Sequence, residues 1–363
     1  VQAKLSGLNL LRLLLPVCLA INFAGGLFFS SQAAYGDDAN PNSHIVCVED
    51  GDLSQKLHLP TNEWIPKDGA PRGVVLAIHG MTLHASCYDV IGKAFAFHGY
   101  YACAADMRGY GRCYTDNDHK FWVGKDSKKK INCEKSYADI VQLAKEIKQK
   151  YPNVPFYALG ESLGTSYCIR LAADHPEIVD GLILSGPTVK TNPLMVIHPA
   201  TFSAGAWAVF IDPLFRVSTG PFVKHLVSND PNVVQEMLND PLCRKSMTIR
   251  DLLQTQKFVG KTISFARKLK VDEPVLVIQG SEDRCMDPKA ITTLAKNIPS
   301  SEQTLRWLHA HGHLLLETTY LRPATVDALG RWMKQRQNMN ADANHESRQE
   351  LIQLGAKPCV DEL

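Results

Sequence analysis

The sequence predicts an α/β domain: a mainly parallel central sheet flanked by helices, with a mostly helical cap inserted in its second half. Three observations predict it. Residues 73–79 (GVVLAIH), 100–105, 155–159, 181–185 and 274–279 are continuous apolar runs, the length expected for strands buried on both faces. Between them lie stretches of helical spacing, such as Tyr137, Ile140, Val141, Ala144 and Ile147, and strands alternating with helices imply a parallel sheet of βαβ units. Residues 191–270 break the alternation: they hold no clear buried strand, but carry Phe202, Trp207, Phe210, Leu214, Phe215 and Phe222 among Pro and Gly. A segment that long between two core strands reads as an insertion.

Taken in order, residues 1–34 place Lys4 and Arg12 ahead of an apolar stretch from Leu13 to Phe29 and the small residues of Ser31-Gln32-Ala33-Ala34. That order is expected of a secretory signal peptide or an N-terminal anchor, and it points to an exported protein. Residues 35–55 read as a linker. Residues 56–190 form the first part of the core, opening with short strands at Lys56-Leu57-His58-Leu59 and Glu63-Trp64-Ile65-Pro66. Residues 191–270 are the cap, whose apolar side chains either pack down on the sheet or line an acyl pocket and touch a membrane transiently. Residues 271–337 complete the core with a last helix over 324–337, and 338–363 form a polar tail.

Apolar residues make up 45% of the 363, enough for a sizeable core. The formal charge of +2 gives no whole-molecule attraction to nucleic acid, and no such partner is expected. The basic run of Lys125 and Lys128-Lys129-Lys130 reads as a solvated loop. The ten cysteines include no Cys-x-x-Cys spacing, which argues against zinc ribbons and thioredoxin-like redox chemistry. Cys103 and Cys168 read as core residues. Cys113 and Cys133 flank one polar loop and are candidates to pair in an oxidising compartment.

The chemistry centres on Gly160-Glu161-Ser162-Leu163-Gly164, entered by an apolar strand and followed by helix-compatible sequence. That context turns Gly-x-Ser-x-Gly into a nucleophile elbow, with Ser162 projecting above the sheet edge. A serine hydroxyl needs a base to take its proton and a carboxylate to orient that base. Asp283 follows the strand 274–279 at the end where α/β sheets place functional groups; Glu282 and Asp287 are its rivals. His313 follows the next strand, after Gly312 and before an apolar helical start, and His311 is the alternative base. The alternation of His309, His311 and His313 also resembles a zinc set, but Gly312 interrupts it and no further ligand is obvious, so neither metal nor cofactor is expected. Two backbone N–H groups, of Leu163 and of Met81 in the turn after His79-Gly80, are the expected oxyanion hole. His79 reads as a structural hydrogen-bonding residue.

With those residues in view, the chain resembles the monoacylglycerol lipase-like (Hydrolase-4, serine aminopeptidase S33) branch of the α/β-hydrolases from about Leu57 to Met333. The resemblance rests on Trp64-x-Pro66, His79-Gly80, Asp106-x-Arg108-Gly109-x-Gly111, Gly160-x-Ser162-x-Gly164, Gly280-Ser281-x-Asp283-Arg284 and the cap segment Asn239-Asp240-Pro241-Leu242-Cys243. It implies an α/β-hydrolase fold, a Ser162–Asp283–His313 triad, an oxyanion hole at Met81 and Leu163, and hydrolysis of small lipid esters such as monoacylglycerols or lysophospholipids. It also implies that Asp106-Met107-Arg108-Gly109 is structural. The chain departs from the family's pattern at Glu161, where His is usual, and at Met81-Thr82-Leu83-His84, which replaces a familiar Gly-Glu-His. Acyl transfer to an alcohol, peptide cleavage on the same triad and a catalytically silent binding protein are the competing readings.

Overall fold

The computed structural model describes residues 44–122, 127–189 and 212–341. The expected leader, residues 35–43, Lys125, Phe202, Trp207, Phe210 and the tail beyond residue 341 lie outside the described residues. Strands β1 (Ile45–Glu49), β2 (Thr61–Pro66), β3 (Val74–Ile78), β4 (Tyr101–Ala105), β5 (Phe156–Glu161) and β6 (Gly181–Ser185) belong to the main sheet. Short strands β7 (Arg216–Ser218) and β8 (Ser246–Thr248) pair only with each other, and β9 (Val275–Gly280) and β10 (Gln303–Leu308) complete the main sheet. Its order is β1-β2-β4-β3-β5-β6-β9-β10. The first two strands are antiparallel at one edge and every pairing from β4 to β10 is parallel.

Period-two alternation explains why the central strands read as unbroken apolar runs. Val74, Leu76 and Ile78 of β3 join a core with Tyr137, Ile140 and Leu143 of helix Cys133–Lys150 and Tyr167 and Leu171 of helix Leu163–Asp174. Val75 and Ala77 face the other layer, against Ile91 and Phe95 of helix Asp89–Phe97 and Leu329 and Trp332 of helix Pro323–Ala341. Each fully buried Val, Leu or Ile contributes about 1.5–3 kcal/mol, so both layers must be present for the sheet to hold. Among the described residues no helix is long and apolar enough to cross a membrane.

The structure corrects four local expectations. The stretch expected as linker contains β1, whose Ile45 pairs opposite Pro66 and Cys47 opposite Trp64. Only Ile45 of that edge strand is buried, so its sequence lacks the apolar alternation of an inner strand. Lys56–Leu59 is not a strand: Asp52–Leu57 is a helix that stops at His58 in the left-handed conformation (φ 48°, ψ 41°), where His58 N–H returns to the Gln55 carbonyl and Leu59 N–H to the Ser54 carbonyl. Leu57 and Leu59 mimic strand alternation because they straddle that helix end. Lys128 is buried rather than solvated, with its ammonium donating to the His58 carbonyl. Cys113 and Cys133 are separate buried free thiols. Cys133 starts a helix capped by Asn132, whose side chain accepts from Lys135 N–H, and the Cys113 thiol lies against the Asp106 carbonyl at 3.4 Å.

The described part of the cap is helical except for the β7–β8 ribbon. Helix Pro231–Asn239 starts with Asp230 as its cap and Pro at its first position, where the missing N–H is no loss. Helix Ile249–Val259 carries a reciprocal capping box between Thr248 and Asp251. Val223, Val227, Val233 and Met237 of the cap meet Leu83 and Leu314 of the core. Leu214 and Phe215 at its start are exposed, at 65% and 37%.

Candidate active site

Ser162 sits between β5 and helix Leu163–Asp174 with φ 51° and ψ −118°, a left-handed backbone that costs a non-glycine residue on the order of 1–3 kcal/mol and persists only where the surroundings enforce it. Here the enforcement is steric. A Cβ on Gly164 would lie 1.8 Å from the Ile78 carbonyl oxygen, and one on Gly160 would lie 2.5 Å from the Gly164 carbonyl carbon. The two glycines let the strand, the turn and β3 close on one another. Ser162 N–H donates to the Ser185 carbonyl at 2.8 Å, and Thr165 Oγ1 donates back to the Ser162 carbonyl at 2.6 Å.

The turn aims the hydroxyl at a base. Ser162 Oγ lies 2.8 Å from His313 Nε2, and His313 Nδ1 donates to Asp283 Oδ2 at 2.7 Å. Asp283 is held in turn: Oδ2 also accepts from the Gln279 side-chain amide at 2.7 Å, and Oδ1 accepts from Cys285 and Met286 N–H at 2.7 and 3.0 Å. Burial opposes charge on both members, but their mutual attraction wins. Asp283 is held below the usual carboxylate range, and His313 is raised above the usual imidazole value by the Asp283 and Glu161 charges. The Asp283 and His313 loops touch because β9 ends in Gly280, where a Cβ would lie 2.0 Å from the Gly312 carbonyl oxygen. Glu282, a rival carboxylate, instead accepts from the Asn229 side chain, and Asp287 caps helix Pro288–Asn297. His311 turns its Nδ1 to the His309 carbonyl at 2.7 Å, whereas the imidazole bonded to the serine is that of His313.

The turn expected to carry the second oxyanion donor lies beside the nucleophile: a Cβ on Gly80 would be 3.4 Å from Ser162 Cβ. Met81 follows directly, and Leu163 opens the helix after Ser162, where backbone N–H groups lack partners within the helix. His79 fixes the turn without titrating. Its Nδ1–H donates to the Gly80 carbonyl at 2.8 Å, its Nε2 accepts from Met107 N–H at 3.0 Å, and burial pushes its pKa down to about 4. Asp106 is likewise structural, accepting from Ala85 N–H and from the backbone and guanidinium of Arg112.

Two buried acids complete the site, and sequence reasoning gave neither a role. Glu161 is fully buried, and its carboxyl accepts from Ser185 Oγ at 2.6 Å and from the backbone N–H groups of Leu315, Leu316 and Glu317 at 2.8–3.2 Å. No helix follows His313, contrary to the sequence expectation; residues 314–317 run irregularly, and Glu161 takes the donors this backbone would otherwise leave unmatched. Glu317 then reaches back, both carboxyl oxygens lying 2.9–3.0 Å from Gly80 N–H. Burial raises the pKa of both, and the neighbouring Glu161 charge raises Glu317 further, while the donors around Glu161 oppose the shift. The sequence signal for Glu317 and Gln279 was an ionisable or amide residue closing an apolar run (Leu314-Leu315-Leu316-Glu317; Val275-Leu276-Val277-Ile278-Gln279).

The family described as "Serine aminopeptidase, S33" (Hydrolase_4) matches residues 69–319. The human protein named Monoglyceride lipase is 26% identical over 280 residues, spanning 75% of this chain and 86% of its own length. The Monoacylglycerol lipase of Mycolicibacterium smegmatis is 25% identical over 247 residues, 67% of this chain and 81% of its own. A soluble variant of the monoglyceride lipase of Saccharomyces cerevisiae, solved with a substrate analog, shares the fold with a TM-score of 0.64 at 19% identity, covering 77% of this chain and 92% of that one. A matched segment that runs from before β3 to beyond His313, together with the sheet order and the elbow, places the chain in the Hydrolase_4 (serine aminopeptidase, S33) family of α/β-hydrolases.

Proposed function

We propose that this chain is a serine carboxylic-ester hydrolase acting on small lipid esters of the monoacylglycerol type. The observation that carries the reading is the continuous line from Ser162 Oγ through His313 to Asp283, with contacts of 2.8 and 2.7 Å. The names of the relatives support the substrate class. His313 takes the Ser162 proton as the oxygen attacks the ester carbonyl. Met81 and Leu163 N–H groups receive the developing oxyanion, a contribution worth about 10²–10³ in rate per donor. His313 then protonates the leaving alcohol, and water, activated by the same imidazole, releases the fatty acid from Ser162. Exposed Leu214 and Phe215 of the cap supply the transient contact with a lipid surface. Export is part of the same reading, supported by the basic-then-apolar order of residues 4–29.

Rates across monoacylglycerols, lysophospholipids, short esters and short peptides test it, with products analysed in the presence and absence of an acceptor alcohol. Glycerol and free fatty acid from monoacylglycerols are the expected products. Hydrolysis of peptides alone, or acyl transfer to the alcohol in place of fatty acid release, would overturn it.

The pH profile tests the base. Only neutral His313 accepts the proton, so kcat/KM falls as pH drops through its pKa. Burial alone would lower that pKa, but Asp283 and Glu161 raise it, so the acid limb is expected above the ordinary histidine value of about 6.5. Asp283→Asn removes the larger opposing charge and leaves burial in command. Its residual activity, about 10⁴-fold lower in kcat, should show the limb moved to lower pH. A limb that stays in place would exclude His313 as the titrating base.

A further inference from the structure

We propose that His84, Cys87 and Cys243, with Asp240 behind the histidine, bind a thiophilic divalent cation of the zinc type and thereby fasten the cap to the core. His84 and Cys87 lie in the turn after β3, Cys87 in the single turn Ala85–Tyr88. Asp240 and Cys243 follow the cap helix Pro231–Asn239. Each pair is three residues apart and closes a turn, with Cys87 N–H donating to the His84 carbonyl and Cys243 N–H to the Asp240 carbonyl. Arg244 N–H to the Thr82 carbonyl, at 2.8 Å, holds the two turns together. The result brings one donor atom from each of the four side chains within 4.8 Å of the others.

The second observation is the state of the imidazole. His84 is 3% exposed, and its Nε2 is bound to Asp240 Oδ2 at 2.7 Å. Its other nitrogen, Nδ1, is buried without a hydrogen bond of ordinary geometry, and the Cys243 thiol is a close neighbour of the ring. A carboxylate gripping one ring nitrogen while the other is left for the ion is the arrangement that orients metal-binding histidines. Two thiolates and an imidazole suit zinc better than magnesium or calcium, which prefer oxygen ligands. Cys243 belongs to one apolar cluster with Val223, Val227, Val233, Met237 and Leu314. A cleft lined by Ser218, Val223, Met237 and Cys243, of ≈ 310 Å³ including open solvent, reaches the site at Cys243, the fourth ligand position falling to water. On binding, the two thiols release their protons to solvent and no oxidation occurs.

The test uses the full chain, reduced, stripped with a chelator and titrated with Co²⁺ and then Zn²⁺. A thiolate-to-cobalt charge-transfer band that saturates at one ion per chain is expected, displaced by Zn²⁺. Zn²⁺ should also protect Cys87 and Cys243 from alkylation, read by peptide mass spectrometry on the wild-type chain and so independent of how any variant folds. The double change Cys87→Ser, Cys243→Ser should lose the band, and Asp240→Ala should weaken binding about 10- to 100-fold. Absence of the band, its survival in the double variant, or equal alkylation with and without Zn²⁺ would each overturn the proposal. Should the isolated protein carry a Cys87–Cys243 disulfide, the same titration after reduction decides.

Discussion

Ser162→Ala is expected to lower kcat for monoacylglycerol hydrolysis by about 10⁶-fold, with His313→Ala comparable and the double variant no worse than either single one. The non-additivity follows from the geometry. Ser162 Oγ and His313 Nε2 share one 2.8 Å contact, so removing either end leaves the other without a proton to give or take. What survives is binding plus the oxyanion donors, about 10³–10⁴ above the rate in water. The fold should be unaffected, because the φ of 51° at residue 162 is imposed by the Gly160 and Gly164 contacts and alanine meets it with the same strain as serine. Steady-state kinetics on the three variants, with thermal denaturation to check folding and a fluorophosphonate probe to report the nucleophile, make the measurement. Losses in the two single variants that multiply in the double one would mean that the residues act separately.

Most of this arrangement was legible in the sequence because it depends on local signals. Strands β3, β4, β5, β6 and β9 declare themselves as apolar runs because both their faces are buried. Ser162, Asp283 and His313 were named from their order and from the strand ends that carry them. Three of the misses share a physical cause: each depends on a partner distant in the chain. β1 is a strand because β2 offers it an edge, not because its own side chains alternate. Lys128 is buried because a carbonyl seventy residues earlier receives its ammonium. Glu161 stood out as unusual, but its role lies in three backbone donors more than 150 residues away, which no periodicity records.

Those donors set the last expectation: Glu161→Gln should destabilise the protein by roughly 2–6 kcal/mol, with two buried N–H groups facing an amide NH₂ at about 1–3 kcal/mol each. The same change should reach the chemistry. Residues 315–317 begin two positions after His313, and a shift of about 1 Å in the imidazole is worth about 10²-fold in rate. The expected signature is therefore a fall in kcat with KM little changed, and an acid limb moved down because the Glu161 charge helps raise His313. Glu317→Gln should behave differently. Burial and the Glu161 charge push the Glu317 carboxyl well above the usual carboxylate range, and a neutral amide oxygen can still accept from Gly80 N–H. Its folded pKa is raised above the unfolded value of about 4.3, so its contribution is complete below that value and is lost as pH rises towards the folded pKa. Through that window the group costs the wild type about 1.4 kcal/mol per pH unit, a slope the glutamine variant lacks. Denaturant unfolding of wild type and both variants from acid to neutral pH separates the cases: wild type should lose ground to Glu317→Gln as pH rises, whereas Glu161→Gln should be weaker throughout. Parallel pH profiles for wild type and Glu317→Gln would mean that Glu317 is ionised in the fold, and wild-type kcat in Glu161→Gln would mean that the carboxylate beside the nucleophile does not position the base.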